Sequence, residues 1–375
     1  VLGLAQFPAR GEGPPKPLPA TMTFLSRKSG EWVVSQIEDA DSDVFHKVLY
    51  YVTPAGEDRL LSGGGSKAKL KLWTKTDQGY EDETLWEEDF GGKFSRMRDL
   101  EVGDLYGDGR QVIAVATHDQ GVVAILRPDG QGGYAVQEID REPDTFVHEI
   151  EIGDLDGDGD LDIIQASDKM RNQIHLNKGK GKFGPALFFG SVASNTRSIE
   201  VADINQDGAL DILEVSRGTQ NLIFLNDGAG SFPTMAGDER EPLSFGAVED
   251  RTLNVAVADM NGDGLDDIVF RNNSGLQFYP NSVNSDNDSN DLINSFENTS
   301  KSVHHVNDFY RNDSRTKKMF AESWSVYASG FYAATSRYKT ESETSVFFTD
   351  GNQDGLIDIV KGNEVYFNYL DENGE

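Results

Sequence analysis

Asp154, Asp156, Asp158, Asp160 and Asp162 occupy alternate positions of one nine-residue stretch, with Gly157 and Gly159 between them. So many like charges in one tight turn repel unless a cation joins them, and an oxygen-only donor set suits a hard divalent ion. Calcium takes about six to eight oxygens at roughly 2.3–2.6 Å, and alternate residues of a turn point inward to supply them. The stretch recurs down the chain. Well-formed loops begin at Asp154, Asp203, Asp259 and Asp350, and a weaker one at Asp104.

Other chemistries fit the residues less well. Asp203, Asn205, Asp207 and Gly208, with Glu214 in twelfth place, satisfy an EF-hand pattern. The other loops carry Val115, Gln165, Phe270 and Lys361 there, and residues 210–215 read as a strand rather than a helix, so the match is a coincidence. Gly179, Gly181 and Gly184 fit G-x-G-x-x-G, but Pro185 and a β-like segment follow, so they read as a hairpin turn and not as a nucleotide fingerprint. The six histidines show no metal-binding spacing, and His304–His305 reads as a solvated pair. No nucleophile elbow or phosphate loop is present, and nearly all carboxylate pairs belong to the acidic loops, which removes them as general acids. The chain is therefore expected not to be an enzyme. Sequons at Asn272, Asn287, Asn298 and Asn312 are read as chance products of an Asn/Ser-rich stretch.

The elements that position the loops are short strands. Residues 100–103, 149–153, 199–202, 253–258 and 345–349 precede the loops, and residues 112–116, 163–165, 212–215, 268–270 and 359–360 follow them. Alternating strands, Gly-rich turns and an aromatic that opens the next strand recur at Ile174–Phe183 and Leu222–Phe232. Loop starts lie about 50 residues apart, with nearly twice that before Asp350, and this period with about four strands per unit predicts a β-propeller. A degenerate unit is expected at Asp308 and another around Tyr51–Asp58 and Lys69–Trp73, giving seven blades in an all-β fold. Strands at the two chain ends are expected to complete one blade and close the ring. Residues 1–20, with Pro8, Pro14, Pro15, Pro17 and Pro19, read as a leader or linker, residues 21–375 as the propeller, and residues 281–318 as a polar insertion or degenerate blade.

Composition narrows the partners. A net charge of −30 over 375 residues excludes a nucleic-acid footprint, much of it sits in the repeated loops, and 39 Gly indicate many turns. No apolar run reaches the length of a membrane span, and zero Cys excludes disulfides and thiolate metal sites. With no signal peptide ahead of Val1, the chain is expected to be processed or part of a longer one. Oxygen-rich loops of modest affinity fill where calcium is abundant, so an extracellular, secreted or cell-surface place is expected.

The pattern D-x-[D/N]-x-D-G-x-x-D followed by an aliphatic strand, at this spacing, resembles the FG-GAP/VCBS repeats of integrin α-subunit propellers, fungal propeller lectins and many secreted bacterial proteins. The resemblance covers about residues 22–375. It implies about four calcium sites. The side-chain ligands would be Asp154, Asp156, Asp158, Asp162; Asp203, Asn205, Asp207, Asp211; Asp259, Asn261, Asp263, Asp267; and Asp350, Asn352, Asp354, Asp358. The seventh position is Asp160, Ala209, Leu265 or Leu356, a freedom that fits a backbone carbonyl ligand. At the Asp104 loop Tyr106, Arg110 and Val112 replace the third, seventh and ninth residues, so weak or no calcium binding is expected there. Residues 342–368 also look like the SpvB-type propeller of bacterial toxin-complex B components. The resemblance implies an adhesion or recognition module for protein or glycan. The alternatives are a structural propeller in a larger secreted or toxin-like assembly and, third, a calcium-dependent polysaccharide lyase.

Overall fold

Short antiparallel meanders, one after another, build the chain. The computed structural model describes residues 2–4, 19–28, 31–65, 68–90, 95–118, 120–143, 145–168, 170–246, 251–259, 264–272, 275–279, 281, 322–325, 346–349, 358–361 and 364–367. Among the described residues every regular element is a strand, and no helix is long and apolar enough to cross a membrane. They form two compact units, one carried by Val1–Asp154 and Asp158–Ala193, the other by Leu155–Gly157, Ser194–Ala328 and Ser342–Glu375.

In the first unit β1 (Leu2–Leu4), β2 (Ala20–Lys28) and β3 (Glu31–Asp39) form a three-stranded sheet. Four-stranded sheets follow in chain order: β4 (Phe45–Val52), β5 (Asp58–Gly64), β6 (Ala68–Thr76) and β7 (Gly79–Glu88); then β8 (Met97–Gly103), β9 (Val112–Thr117), β10 (Val122–Pro128) and β11 (Tyr134–Arg141); then β12 (Phe146–Gly153), β13 (Asp162–Asp168), β14 (Asn172–His175) and β15 (Leu187–Phe189). In the second unit β16 (Thr196–Ala202), β17 (Asp211–Ser216), β18 (Asn221–Phe224) and β19 (Leu243–Phe245) repeat the pattern, and β20 (Asn254–Ala258), β21 (Asp267–Asn272) and β22 (Gly275–Tyr279) give three strands of it. The last sheet runs β23 (Glu322–Ser325), β26 (Glu364–Phe367), β25 (Asp358–Lys361), β24 (Val346–Thr349).

Position within a sheet explains the strand sequences. Second strands such as Val112–Thr117 and Asp211–Ser216 are buried along their whole length, and Val112–Thr117 has neighbouring sheets packed on both of its faces. Fourth strands β7 and β11 are half-buried or exposed throughout, and Glu81, Glu83, Gln137 and Glu138 lie in their exposed stretches. The cores therefore lie between consecutive sheets. Leu61, Leu70 and Leu72 meet Leu100, Ile113, Val115 and Ala124 in one cluster, and the far face of the same second sheet meets Val147, Ile150 and Ile163 in another. In the second unit Leu213, Val215 and Ile223 meet Val255, Ile268 and Phe270. Ala20 and Met22 of the N-terminal sheet pack with Phe45 and Trp73.

Each expected loop-flanking strand is present, and the degenerate unit expected at Tyr51–Asp58 and Lys69–Trp73 is the sheet β4–β7. Two features differ from expectation. Leu2–Leu4, inside the Pro-rich stretch, is a strand that pairs with Thr21–Thr23. Among the described pairings the N-terminal strands bond to one another, and the fourth strand of the last sheet is β23, not a strand from the N-terminus. The Asp308 segment, residues 282–318 of the insertion and His304–His305 lie outside the described residues.

Candidate metal centres

Each acidic loop joins the first strand of a sheet to the second, and its aspartates first of all shape the turn. Asp154 Oδ1 accepts from Asp158 N at 3.1 Å and its Oδ2 from Gly159 N at 3.0 Å. Asp203 repeats this with Asp207 N and Gly208 N, both at 2.9 Å, and Asp259 Oδ2 accepts from Gly264 N at 2.9 Å. The fifth-position carboxylate caps the seventh residue: Asp158 Oδ1 takes Asp160 N and Asp207 Oδ1 takes Ala209 N, at 2.9 Å each. The winding needs left-handed backbone at the fourth and sixth positions. Gly157 and Gly159 supply it at φ 72° and 89°, whereas Gln206, with a Cβ, adopts φ 60° in its loop.

This winding draws the acids together. Asp154, Asp156 and Asp162 bring one carboxylate oxygen each within 4.8 Å of the others, and Asp162 is fully buried. Asp158 and Asp160 lie on the same turn, joined by the bond above. In the next loop Asp207 N donates to Asn205 Oδ1 at 3.0 Å and Ile204 N to Asp211 Oδ2 at 3.2 Å, but Asp203, Asp207 and Asp211 are not gathered as closely as the acids of the Asp154 loop. Burial, and after it the charges of Asp207 and Asp203, push the Asp211 carboxyl up to about 7, against the two backbone N–H groups it accepts. A buried carboxylate beside two others is costly until a cation offsets it, and an all-oxygen donor set is what a hard cation takes. These residues fit calcium. Asp259 and Asp267 frame the third loop, with Leu265 half-buried in seventh place, while Asn261 and Asp263 lie outside the described residues. So do Asp350, Asn352, Asp354 and Leu356; Asp358 opens β25.

The Asp104 loop keeps the turn and changes the cation. Asp104 still caps Asp108 N and Gly109 N, at 3.1 and 2.6 Å. Arg110 Nη2 and Arg127 Nη2 each donate to Asp108 Oδ2 at 2.7 Å, and the Arg127 guanidinium lies 4.0 Å over the Tyr106 ring. The Arg110 guanidinium, and after it that of Arg127, holds Asp108 at about 2. Two guanidinia thus stand where a calcium would neutralise the loop.

The ninth aspartate has a second duty that spacing alone does not disclose. Asp162, Asp211 and Asp267 each accept, through Oδ1, the backbone N–H of an asparagine that follows the third strand: Asn177 at 2.7 Å, Asn226 and Asn281 at 2.8 Å. The side chains of these asparagines then donate to the second residue of the preceding loop, at Leu105 O, Leu155 O and Ile204 O, each at 2.8 Å. Asn177 and Asn226 also reach the eighth carbonyl of their own loop, Leu161 O at 3.0 Å and Leu210 O at 2.9 Å. An asparagine after a strand with glycine two residues on, as at Asn177–Gly179 and Asn226–Gly228, is the signal that could have found them.

The model of the FG-GAP-like repeat matches residues 104–165 and 154–214. These stretches are FG-GAP-like repeats. Each match starts at the first aspartate of one loop and runs past the next loop, so each spans two loops with the strands between them, and the second also holds Asn177. Among curated proteins none matches the sequence. Among solved structures, BBS1N in complex with ARL6DN from a mercury-soaked crystal is similar over 95% of this chain and 89% of its own, with 10% identity and a TM-score of 0.52. The same complex soaked with lead is similar over 71% and 76%, at 11% identity and a TM-score of 0.47. An Agrocybe aegerita lectin, solved for its specific recognition of non-reducing terminal N-acetylglucosamine, is similar over 71% and 72%, at 19% identity and a TM-score of 0.45. The likeness to the mercury-soaked complex is one of fold. Over residues 104–214 the FG-GAP-like repeats form four-stranded sheets of the kind that serve as β-propeller blades.

Proposed function

We propose that this chain is a calcium-loaded propeller that acts outside the cell by binding, as an adhesion or recognition module for a protein or glycan. The observation that carries the reading is the double duty of the acidic loops. Their aspartates cap the turn, gather within 4.8 Å around Asp154, Asp156 and Asp162, and take the asparagine that ties one blade to the next. Calcium there is structural: it neutralises buried carboxylates and holds the loops that frame each blade. A metal spent on scaffold leaves function to the surfaces that the blades present, and no turnover chemistry is assigned to the loops. We read the ring as seven blades. The described residues form seven sheets, one of them the N-terminal sheet β1–β3, which supports that count.

An array of glycans and cell-surface proteins, probed with and without calcium, tests the reading. Binding that needs calcium and is lost with chelator is expected. A blank array, with turnover of an acidic polysaccharide instead, would replace it with a lyase. The likeness of residues 342–368 to toxin-complex propellers favours a second reading, a structural propeller inside a larger secreted assembly. Co-purification of a stable multi-chain complex and a blank array would establish that one.

A further inference from the structure

The first strand of four successive blades carries a β-bulge at one equivalent place. The register skips a residue between Phe45 and Lys47, Met97 and Asp99, Val147 and Glu149, and Thr196 and Ser198. The extra residues are His46, Arg98, His148 and Arg197. A bulge bends its strand and re-aims the side chain at its apex. In the first unit β4 lies beside β8 and β8 beside β12, so three of these bulges are neighbours.

Two of the apex side chains bond to each other. Arg98 Nη1 lies 2.8 Å from His46 Nδ1, so the first strand of one blade is tied to the first strand of the next. A guanidinium only donates, so Nδ1 accepts and the ring proton sits on Nε2. The bond therefore requires a neutral imidazole. A second ring proton, at Nδ1, would set donor against donor and one positive charge against another.

The surroundings sharpen that conflict. Just before β8 stands Arg96, whose carbonyl accepts from His118 N at 3.1 Å. The His118 ring stacks on Phe146 at 4.5 Å and meets the His148 ring edge-on at 5.4 Å. Burial, and then the charges of Arg98, Arg96 and His118, hold His46 well below the usual histidine range. The acid on this side is Asp43, whose Oδ1 borders the flank of Gly65 beside His46 Nε2. Nε2 itself is sealed from water without an acceptor, and Val44 Cγ1 fills the same flank. The other carboxylates of these strands turn to Lys47: Asp99 at 3.1 Å, Glu101 in direct contact, with Glu149 and Glu151 behind them.

We propose that the His46–Arg98 bond is an acid-sensitive latch between the sheets β4–β7 and β8–β11, closed while the imidazole is neutral and opened when it takes a proton. An imidazole released from the latch titrates near 6.5, whereas the closed latch keeps it neutral to lower pH. The stabilisation is therefore complete above about 6.5 and is lost progressively as pH falls below it. The Lys47 cluster beside it carries the opposite sign. Burial holds Glu101 above its ordinary value, so acid favours the folded form there. The latch does not depend on what the module binds.

Backbone hydrogen exchange of the full chain in excess calcium, corrected for the intrinsic effect of pH on exchange, tests the latch. In the native chain protection at residues 45–47 and 97–99 should fall by about tenfold from pH 7.5 to pH 5.5. His46→Asn keeps an acceptor near the place of Nδ1 and has nothing to titrate, so its protection there should be the same at both pH values. NMR of 15N-labelled histidine in the native chain gives a reading that needs no variant. The His46 ring should remain the Nε2–H tautomer as pH falls and gain charge only in step with the loss of protection. An equal fall of protection in the native and His46→Asn chains would overturn the latch. So would native protection that holds to pH 5, or a His46 ring that charges near 6.5 with both strands still protected.

Discussion

Asn177 Nδ2 lies 2.8 Å from the carbonyl oxygen of Leu105, a residue 72 positions earlier and one blade back. The same amide reaches Leu161 O, its Oδ1 accepts from Gly179 N, and its own backbone N–H caps Asp162. One buried side chain thus joins two blades and an acidic loop.

Asn177→Ala should destabilise the first unit by about 2–4 kcal/mol, because the Leu105 and Leu161 carbonyls lose a buried donor and a cavity opens. Asn177→Asp should cost at least as much, since it sets an acceptor against two acceptors. Denaturant unfolding of both variants checks this, and a loss within about 0.5 kcal/mol would put the asparagine among ordinary surface positions.

Calcium should raise Tm by many degrees and chelator should lower it, each occupied site adding about 2.7 kcal/mol at a hundredfold excess over its Kd. Asp158→Ala should abolish one bound ion and lower Tm far more than Asp77→Ala, an exposed acid in the turn before β7. Equilibrium dialysis with melting curves separates the two variants.

The Asp104 loop should be indifferent to calcium. Asp108→Asn is expected to leave the number of bound ions unchanged, whereas Asp158→Asn lowers it by one. Its arginines also predict a pH signature. Asp108 titrates at about 2 in the folded chain against 3.8 ordinarily, so the folded state binds its proton less readily. That contribution is complete above 3.8 and is lost as pH falls through about 2. The stability gap between the native chain and an Arg110→Ala/Arg127→Ala variant should therefore hold from neutral pH down to about 4 and shrink below it.

Lys71 Nζ is buried among Asp39 at 2.8 Å, Asp82 at 2.9 Å and Asp41 at 3.2 Å, and lies 5.6 Å from the Trp73 ring centre. Burial alone would lower its pKa; the bonds to Asp39 and Asp82 outweigh this and raise it. Lys71→Met should cost about 3–5 kcal/mol, because Asp39 stays buried without its cation. The paired change Lys71→Met with Asp39→Leu should recover much of that loss, and urea unfolding of the two variants measures the coupling.

Loops and strands were legible because their signals are local. Asp154 to Asp162 announce the turn, and Ile163–Ile164 announces a strand buried on both faces. The asparagines were not, because Asn177, Asn226 and Asn281 meet partners 72, 71 and 77 residues away. The bulges were invisible for another reason: one extra residue near a strand's start shifts a pairing register and leaves the apolar pattern beyond it intact. At Asp104 the sequence showed that ligands were missing. It did not show that Arg127, from β10, comes back 19 residues later to neutralise Asp108. Leu2–Leu4 escaped notice because three apolar residues before a proline-rich stretch carry no period.

The asparagine bonds give the chain a direction. The Asp104, Asp154 and Asp203 loops each offer the second carbonyl as acceptor to an asparagine of the blade that follows, so a segment cut at the boundaries of the repeat keeps its aspartates and loses the donor that anchors them. The unit copied along the sequence and the unit that can stand alone are out of phase by one blade. A fragment ending at residue 214 would hold the Asp154 turn without Asn226, and grafting a single such turn onto another scaffold would transfer its acids without the hand that holds them closed.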